Sequence, residues 1–114
     1  MMRHVGWETL LSLNGVTMVI DEHLGFWVKF VAYRVQPSRS IPHGVRYSLT
    51  LHDRRGTRRL GFDNAHGVNK TLEFDHWHRS SDDSGRKYDL DSPESLLEDF
   101  WREVDRVLRE SQDD

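Results

Sequence analysis

The segment VRYSLTLHDRRGTRRLGFD, residues 45–63, decides the fold that we expect for this chain of 114 residues. Its first eight residues alternate apolar and polar side chains, which is the period of a β-strand with one buried face. Residues 53–56 have the composition of a turn, and the alternation resumes after them. The segment therefore predicts an antiparallel hairpin whose apolar positions are Val45, Tyr47, Leu49, Leu51, Leu60 and Phe62.

The register of this hairpin follows from burying the apolar positions together, which pairs Tyr47 with Phe62. A slip by one residue would turn the apolar set towards solvent. The same register places Arg46 opposite Asp63, within reach of a salt bridge. It also sets Arg59 on the polar face with them.

Further strands are predicted on both sides of the hairpin. Two short apolar runs, 10–13 and 16–20, flank Asn14-Gly15, which is a strong signal for a tight hairpin turn. Residues 26–35 are mostly apolar on both faces, which predicts a central strand covered on both sides. Residues 72–79 and 87–90 predict one more strand and a short edge strand.

The last part of the chain has the signature of an amphipathic helix. Ser92, Pro93 and Glu94 match the N-cap, the first helical position and an acidic first turn. Apolar residues then recur at helical spacing, which predicts a helix over about residues 93–110. We therefore expect one domain over residues 1–114, of the α+β class. An antiparallel sheet of about five strands within residues 8–90 carries this C-terminal helix.

The composition limits the class of protein. The net charge is −3 and the isoelectric point is near 6.1, so the overall charge of the protein does not favour binding to nucleic acid. A local basic patch is compatible with this net charge. The chain has no cysteine, which excludes disulfides and thiolate zinc sites. No signal peptide and no apolar run of membrane-spanning length are visible. We expect a soluble, cytoplasmic protein that makes no contact with a membrane.

Ionisable groups of related chemistry are concentrated between residues 61 and 79. His76 and His78 are two positions apart on a predicted strand, so both rings point to the same side. Two imidazoles in this arrangement can ligate one metal ion or act as acid and base on one substrate. Asp63 ends its strand and His66 follows in the next loop, so a carboxylate and a third imidazole are expected at the rim of the same cleft. The non-functional alternative is a pair of solvated histidines beside ordinary turn residues.

The chemistry of this group favours a phosphate substrate. Metal-free RNA cleavage requires a base, an acid and a cation for the phosphate. The candidate catalytic residues are Asp63, His66, His76 and His78, and the candidate substrate-binding residues are Arg46 and Arg59. We expect no metal and no cofactor, because two arginines beside the histidines oppose a divalent cation. The alternatives are a non-catalytic domain that binds a metal or a partner through the same histidines, and a small structural domain.

Several of these motifs resemble the TumE family. These are small toxin-like proteins that occur beside helix-turn-helix antitoxins. The similarity rests on a strand like Val45–Leu49, on Phe62-Asp63-Asn64-Ala65-His66, on His76-Trp77-His78 and on a helix like 96–101, and it covers about residues 45–108. The resemblance implies the toxin of a toxin–antitoxin pair, with a helix-turn-helix antitoxin as partner. A ribonuclease acting on RNA is then the leading hypothesis.

Overall fold

A computed structural model describes residues 6–64 and 75–112 of the chain. In that part of the chain two helices and six strands form. In chain order they are α1 (Gly6–Ser12), β1 (Thr17–Asp21), β2 (Phe26–Arg34), β3 (Val45–His52), β4 (Arg58–Asp63), β5 (His76–His78), β6 (Arg86–Lys87) and α2 (Pro93–Gln112). None of the described helices is long and apolar enough to cross a membrane.

The six strands form one antiparallel sheet in which each strand pairs with the next along the chain, in the order β1 to β6. This arrangement confirms the α+β class, with one strand more than the five expected. The strand predicted over residues 72–79 is observed as β5, and residues 72–74 lie outside the described residues. The predicted edge strand begins one residue earlier, as β6.

One face of the sheet carries the hydrophobic core and α2. The helix begins as its sequence predicts, because the Ser95 amide donates to the Ser92 hydroxyl at 3.1 Å. It continues to Gln112, two residues beyond the expected end. Its buried stripe packs on the sheet, where the Phe100 ring lies edge-on to Phe30 and to Phe62. Leu96, Phe100, Val104 and Val107 are the apolar side chains of this stripe that are buried.

The beginning of the described chain differs from the prediction, because residues 6–12 form a helix and no strand. Four consecutive residues such as 10–13 do not separate the two periods, and the additional apolar position at Trp7 completes a helical spacing with Leu10 and Leu11. Leu10 is fully buried in the core. Asn14 and Gly15 do form a tight turn, in which the Val16 amide donates to the Leu13 carbonyl at 2.9 Å, but this turn joins α1 to β1 and is not a hairpin. The Asn14 side-chain oxygen also accepts a hydrogen bond from the Ala32 amide at 3.0 Å.

The register of the β3–β4 hairpin is displaced by two residues from the prediction. Asp63 lies opposite Ser48, so the predicted pairing of Arg46 with Asp63 is wrong. A two-residue turn at Arg54-Arg55 would have required positive φ at both residues, which arginine disfavours. The chain instead makes a five-residue loop in which Gly56 has φ 84°. The longer loop pairs His52 with Arg58, which is one residue beyond its predicted partner, and a bulge before Leu60 adds the second residue of the displacement.

The second face of the sheet has no described helix packed on it. The cross-strand partners place two rows of side chains side by side on this face: Lys29, Thr50, Gly61 and His78 in one row, and Val31, Ser48, Asp63, His76 and Lys87 in the next. Lys29 is exposed and Tyr33 is 43% exposed. The expectation that β2 is covered on both sides is therefore wrong, and we call this surface the polar face.

Candidate functional site

The strand register brings Asp63, His76 and His78 together on the polar face. Asp63 at the end of β4 is the direct partner of His76 at the start of β5, and Gly61 is the partner of His78. His76 Nε2 lies 2.8 Å from Asp63 Oδ1, and His78 Nε2 lies 3.4 Å from Asp63 Oδ2. Two imidazoles therefore face the two oxygens of one carboxylate, and we call these three side chains the His–Asp cluster.

The cluster is largely shielded from solvent. His76 is 4% exposed and His78 is 8% exposed, and their rings meet edge to face with centroids 5.1 Å apart. Solvated histidines on a free edge would be far more exposed, so the alternative that these two histidines are solvated is wrong. Burial strengthens the electrostatic interactions of the carboxylate with both rings.

The hydrogen bond on the far side of His78 determines where its proton lies. Its Nδ1 is 2.9 Å from the backbone carbonyl oxygen of Asp83. A carbonyl oxygen only accepts, so Nδ1 carries the proton. In the neutral ring Nε2 then has the free lone pair, and in the imidazolium ring it carries a second proton. His78 is thus held with its reactive nitrogen towards Asp63.

The loop that follows β5 positions this carbonyl. The Asp83 carboxylate accepts hydrogen bonds from the Arg79 amide at 3.0 Å, the Gly85 amide at 2.9 Å and Arg86 Nε at 2.8 Å. The two backbone hydrogen bonds are the main reason that the pKa of Asp83 falls to about 2. Asp83 therefore keeps the loop closed and its own carbonyl against His78.

Tyr47 anchors both strands of the cluster from β3. The side chain of Asn64, which is fully buried, accepts from the Tyr47 amide at 3.0 Å and donates to the Val45 carbonyl at 2.9 Å. The Tyr47 hydroxyl donates to Asp75 Oδ2 at 2.7 Å, immediately before His76. The pKa of Tyr47 is raised above its usual range, mainly because the hydroxyl is buried and secondly because the Asp75 carboxylate lies beside it. Sequence reasoning assigned Asn64 to ordinary turn chemistry and missed this role, although an Asn directly after a half-buried strand was the available signal.

The remaining candidates are placed differently. Arg46 is on the polar face, on the diagonal from Asp63 across the two strands, and its buried Nε has no hydrogen-bond partner among the described residues. Arg59 lies on the helix side, with its guanidinium over the Phe26 ring at 5.6 Å. The bulge instead brings Arg58 beside Gly61 on the polar face. His66 lies outside the described residues.

The three side chains of the cluster also have the donor set of a metal site. One ligand atom from each of Asp63, His76 and His78 lies within 4.8 Å of the others. Two imidazoles and a carboxylate suit zinc and other first-row metals. The cluster is therefore chemically able to perform acid–base catalysis or to hold a cation.

Comparison with known proteins identifies the family. Residues 15–108 match the model of the family described as Toxin TumE, so the match extends upstream of residue 45, where the resemblance began, and includes β1 and β2. It contains the whole His–Asp cluster and most of α2. No curated protein and no solved structure matches the chain. The chain belongs to the TumE toxin family.

Proposed function

We propose that this toxin cleaves RNA, with His76 and His78 as its acid–base pair and Asp63 as the carboxylate that both rings face. The observation that supports this function best is the convergence of two buried Nε2 atoms on one carboxylate, at 2.8 and 3.4 Å. Acid–base catalysis needs a proton acceptor and a proton donor held close together, and this cluster supplies both.

In this mechanism the neutral His78 is the general base. Its Nε2 takes the proton of a ribose 2′-hydroxyl, and the 2′-oxygen attacks the adjacent phosphorus. The bond from phosphorus to the 5′-oxygen breaks, and the protonated His76 donates its proton to that leaving oxygen. The products are a 2′,3′-cyclic phosphate and a 5′-hydroxyl. Asp63 accepts from the protonated His76 Nε2, 2.8 Å away, and stabilises the positive charge that His78 acquires when its Nε2 takes the proton.

Arg46 is the cation proposed for the phosphate. It is the arginine of the two sequence candidates that lies on the polar face, and one of its donors is buried without a described partner. A guanidinium stabilises the negative charge that develops on the phosphate oxygens. Arg59, on the helix side, has no part in this step.

Membership of a toxin family implies an antitoxin partner. We propose that this partner is a helix-turn-helix protein encoded next to the toxin, and that the toxin acts in the cytoplasm. Co-expression with the product of the neighbouring reading frame tests the first point, because it should abolish growth inhibition.

The test of cleavage uses purified protein and an oligoribonucleotide, with and without a chelator. His76→Ala and His78→Ala should each lower the rate at least 100-fold, as expected for loss of a general acid or base, and should abolish toxicity. The matched control is His23→Ala, because His23 is exposed in the β1–β2 turn. The proposal fails if both cluster variants remain toxic, or if the wild-type protein releases no cyclic phosphate.

A second candidate function is metal binding by the same cluster. The hydrogen bond from His78 Nδ1 to a backbone carbonyl favours it, since metal-bound histidines are usually held in this way. Titration with Zn²⁺ or Co²⁺, followed by calorimetry and thermal unfolding, separates the two. Tight binding that His78→Ala removes, together with loss of RNA cleavage on chelation, would replace the metal-free mechanism.

A further inference from the structure

We infer that the polar face of the sheet binds single-stranded RNA, with Trp27 as the stacking surface for a base and Lys29 as a phosphate contact. The inference rests on the proposed function and names the substrate class and the surface that holds it. The face is continuous with the His–Asp cluster, because Lys29, Thr50, Gly61 and His78 form one row across four strands.

The charge of the polar face suits an anionic ligand. The register places Lys29, Arg46 and Lys87 on it, and Arg58 joins them through its contact beside Gly61. Among the described strand residues on this face the one carboxylate is Asp63, which the two histidines already engage. A positive surface on a chain with a net charge of −3 is a local feature that phosphates would recognise.

The face also offers aromatic surface to a base. The Trp27 ring stacks on His52 with centroids 4.2 Å apart and an angle of 13° between the rings. A shallow cavity of about 200 Å³ beside it is lined by Thr17, Met18, Val19 and Trp27. An indole next to an open apolar cavity is suited to stack an unpaired base. The Trp27–His52 pair borders the row that leads to His78.

The dimensions agree with a strand that crosses the sheet. Neighbouring strands are about 4.8 Å apart, so β2 and β5 are separated by about 14 Å. Gly61 has no side chain, and a Cβ placed there would meet Arg58 at 3.4 Å, Thr50 at 3.6 Å and His78 at 3.7 Å, so the neighbouring side chains already fill this position. The row from Lys29 to His78 is therefore continuous, with the Arg58 side chain beside its middle. A base held at Trp27 would place the following backbone along this row and towards the cluster.

A single strand fits this surface better than a duplex, because stacking on Trp27 requires a base that is free of its neighbours. A helix of RNA would present phosphates and ribose to the lysine and would leave the indole and its cavity without a contact. A protein partner on the same face would have to satisfy several cations with carboxylates, and it would gain nothing from the His–Asp cluster.

The experiment measures binding without cleavage. A fluorescent 2′-O-methyl oligoribonucleotide of about twelve residues has no 2′-nucleophile and spans a site of typical size, so anisotropy reports affinity for the unmodified full chain. Trp27→Ala should weaken binding about 5- to 150-fold, whereas Trp27→Phe should keep most of it. Lys29→Ala should reduce the slope of log affinity against log salt by about 0.7. Arg102→Ala is the matched control, because this arginine is exposed on α2.

Three results would overturn the inference: no binding of the single strand, equal affinity for the duplex of the same sequence, or unchanged affinity in both Trp27→Ala and Lys29→Ala. Thermal unfolding of each variant shows whether it is folded. If Trp27→Ala is unfolded, Trp27→Phe and Lys29→Ala still test the inference. Failure here leaves the cleavage assay of the histidine variants intact. Conversely, RNA binding that depends on Trp27 in a protein whose histidine variants remain toxic would overturn the proposed chemistry alone.

Discussion

The side-chain amide of Asn64 takes the place of a peptide group opposite Tyr47. Its Oδ1 accepts from the Tyr47 amide at 3.0 Å, while its own backbone amide donates to the Tyr47 carbonyl at 3.3 Å. The amide nitrogen of the side chain completes the set by donating to the Val45 carbonyl. These bonds continue the hydrogen-bond ladder between β3 and β4 by one residue past the end of β4. They fix the backbone directly after Asp63, which is the last residue of that strand.

Asn64→Ala should destabilise the protein by about 2–4 kcal/mol, because it leaves two buried backbone groups of β3 without partners. The free energy of unfolding in urea measures this change. Asn64→Asp should be no milder, since a carboxylate would accept from Tyr47 but meet the Val45 carbonyl with a second acceptor. Unchanged stability in both variants would contradict the role assigned to this amide.

Asp83→Asn should loosen the loop behind His78 and lower the rate of RNA cleavage. The pKa of Asp83 is depressed from 3.8 to about 2, so the folded state favours its carboxylate form. Its stabilisation is complete above the unfolded value of 3.8 and is lost as the pH falls through about 2. Melting temperatures from pH 5 to pH 2 should therefore fall less steeply in the variant. Asp82→Asn is the control, because this neighbouring side chain is exposed, and an equal effect there would rule out the hydrogen bonds as the cause.

His43 should make stability sensitive to mild acid. Burial lowers its pKa below 6.5, partly offset by Asp75, and Nδ1 accepts from the Val45 amide, which requires an unprotonated nitrogen. The unfolded chain therefore binds a proton more readily than the folded chain. The stabilisation is complete above pH 6.5 and declines as the pH falls below that value.

The measurement is the melting temperature between pH 7.5 and 5 for the wild type and for His43→Asn, whose Oδ1 can accept the same bond. The variant should show a flatter profile. Identical profiles would mean that other groups cause the pH dependence.

Arg46→Gln should lower the rate of RNA cleavage about tenfold or more, since it removes a cation near the reacting phosphate. Arg59→Gln should change the rate little, because Arg59 lies over Phe26 on the helix side. Single-turnover cleavage of one oligoribonucleotide by both variants makes the comparison. A greater loss in Arg59→Gln would place the substrate on the helix side of the sheet.

Local periodicity was enough to predict much of this protein. Alternation identified β3 and β4 and their buried positions, and Ser92-Pro93 identified the start of α2, because strands and helix caps impose patterns within a few residues. The two-residue spacing of His76 and His78 likewise predicted that both rings lie on one side.

Only the tertiary structure decided which residues meet. The conformation of the 53–57 loop and the bulge at Arg58–Arg59 set the register, so Ser48 faces Asp63 and Arg46 does not. The pairing of β4 with β5 then brought one carboxylate against two imidazoles. These contacts join residues that are distant in sequence, and the hydrogen bonds of loops and bulges that select them have no periodic signal.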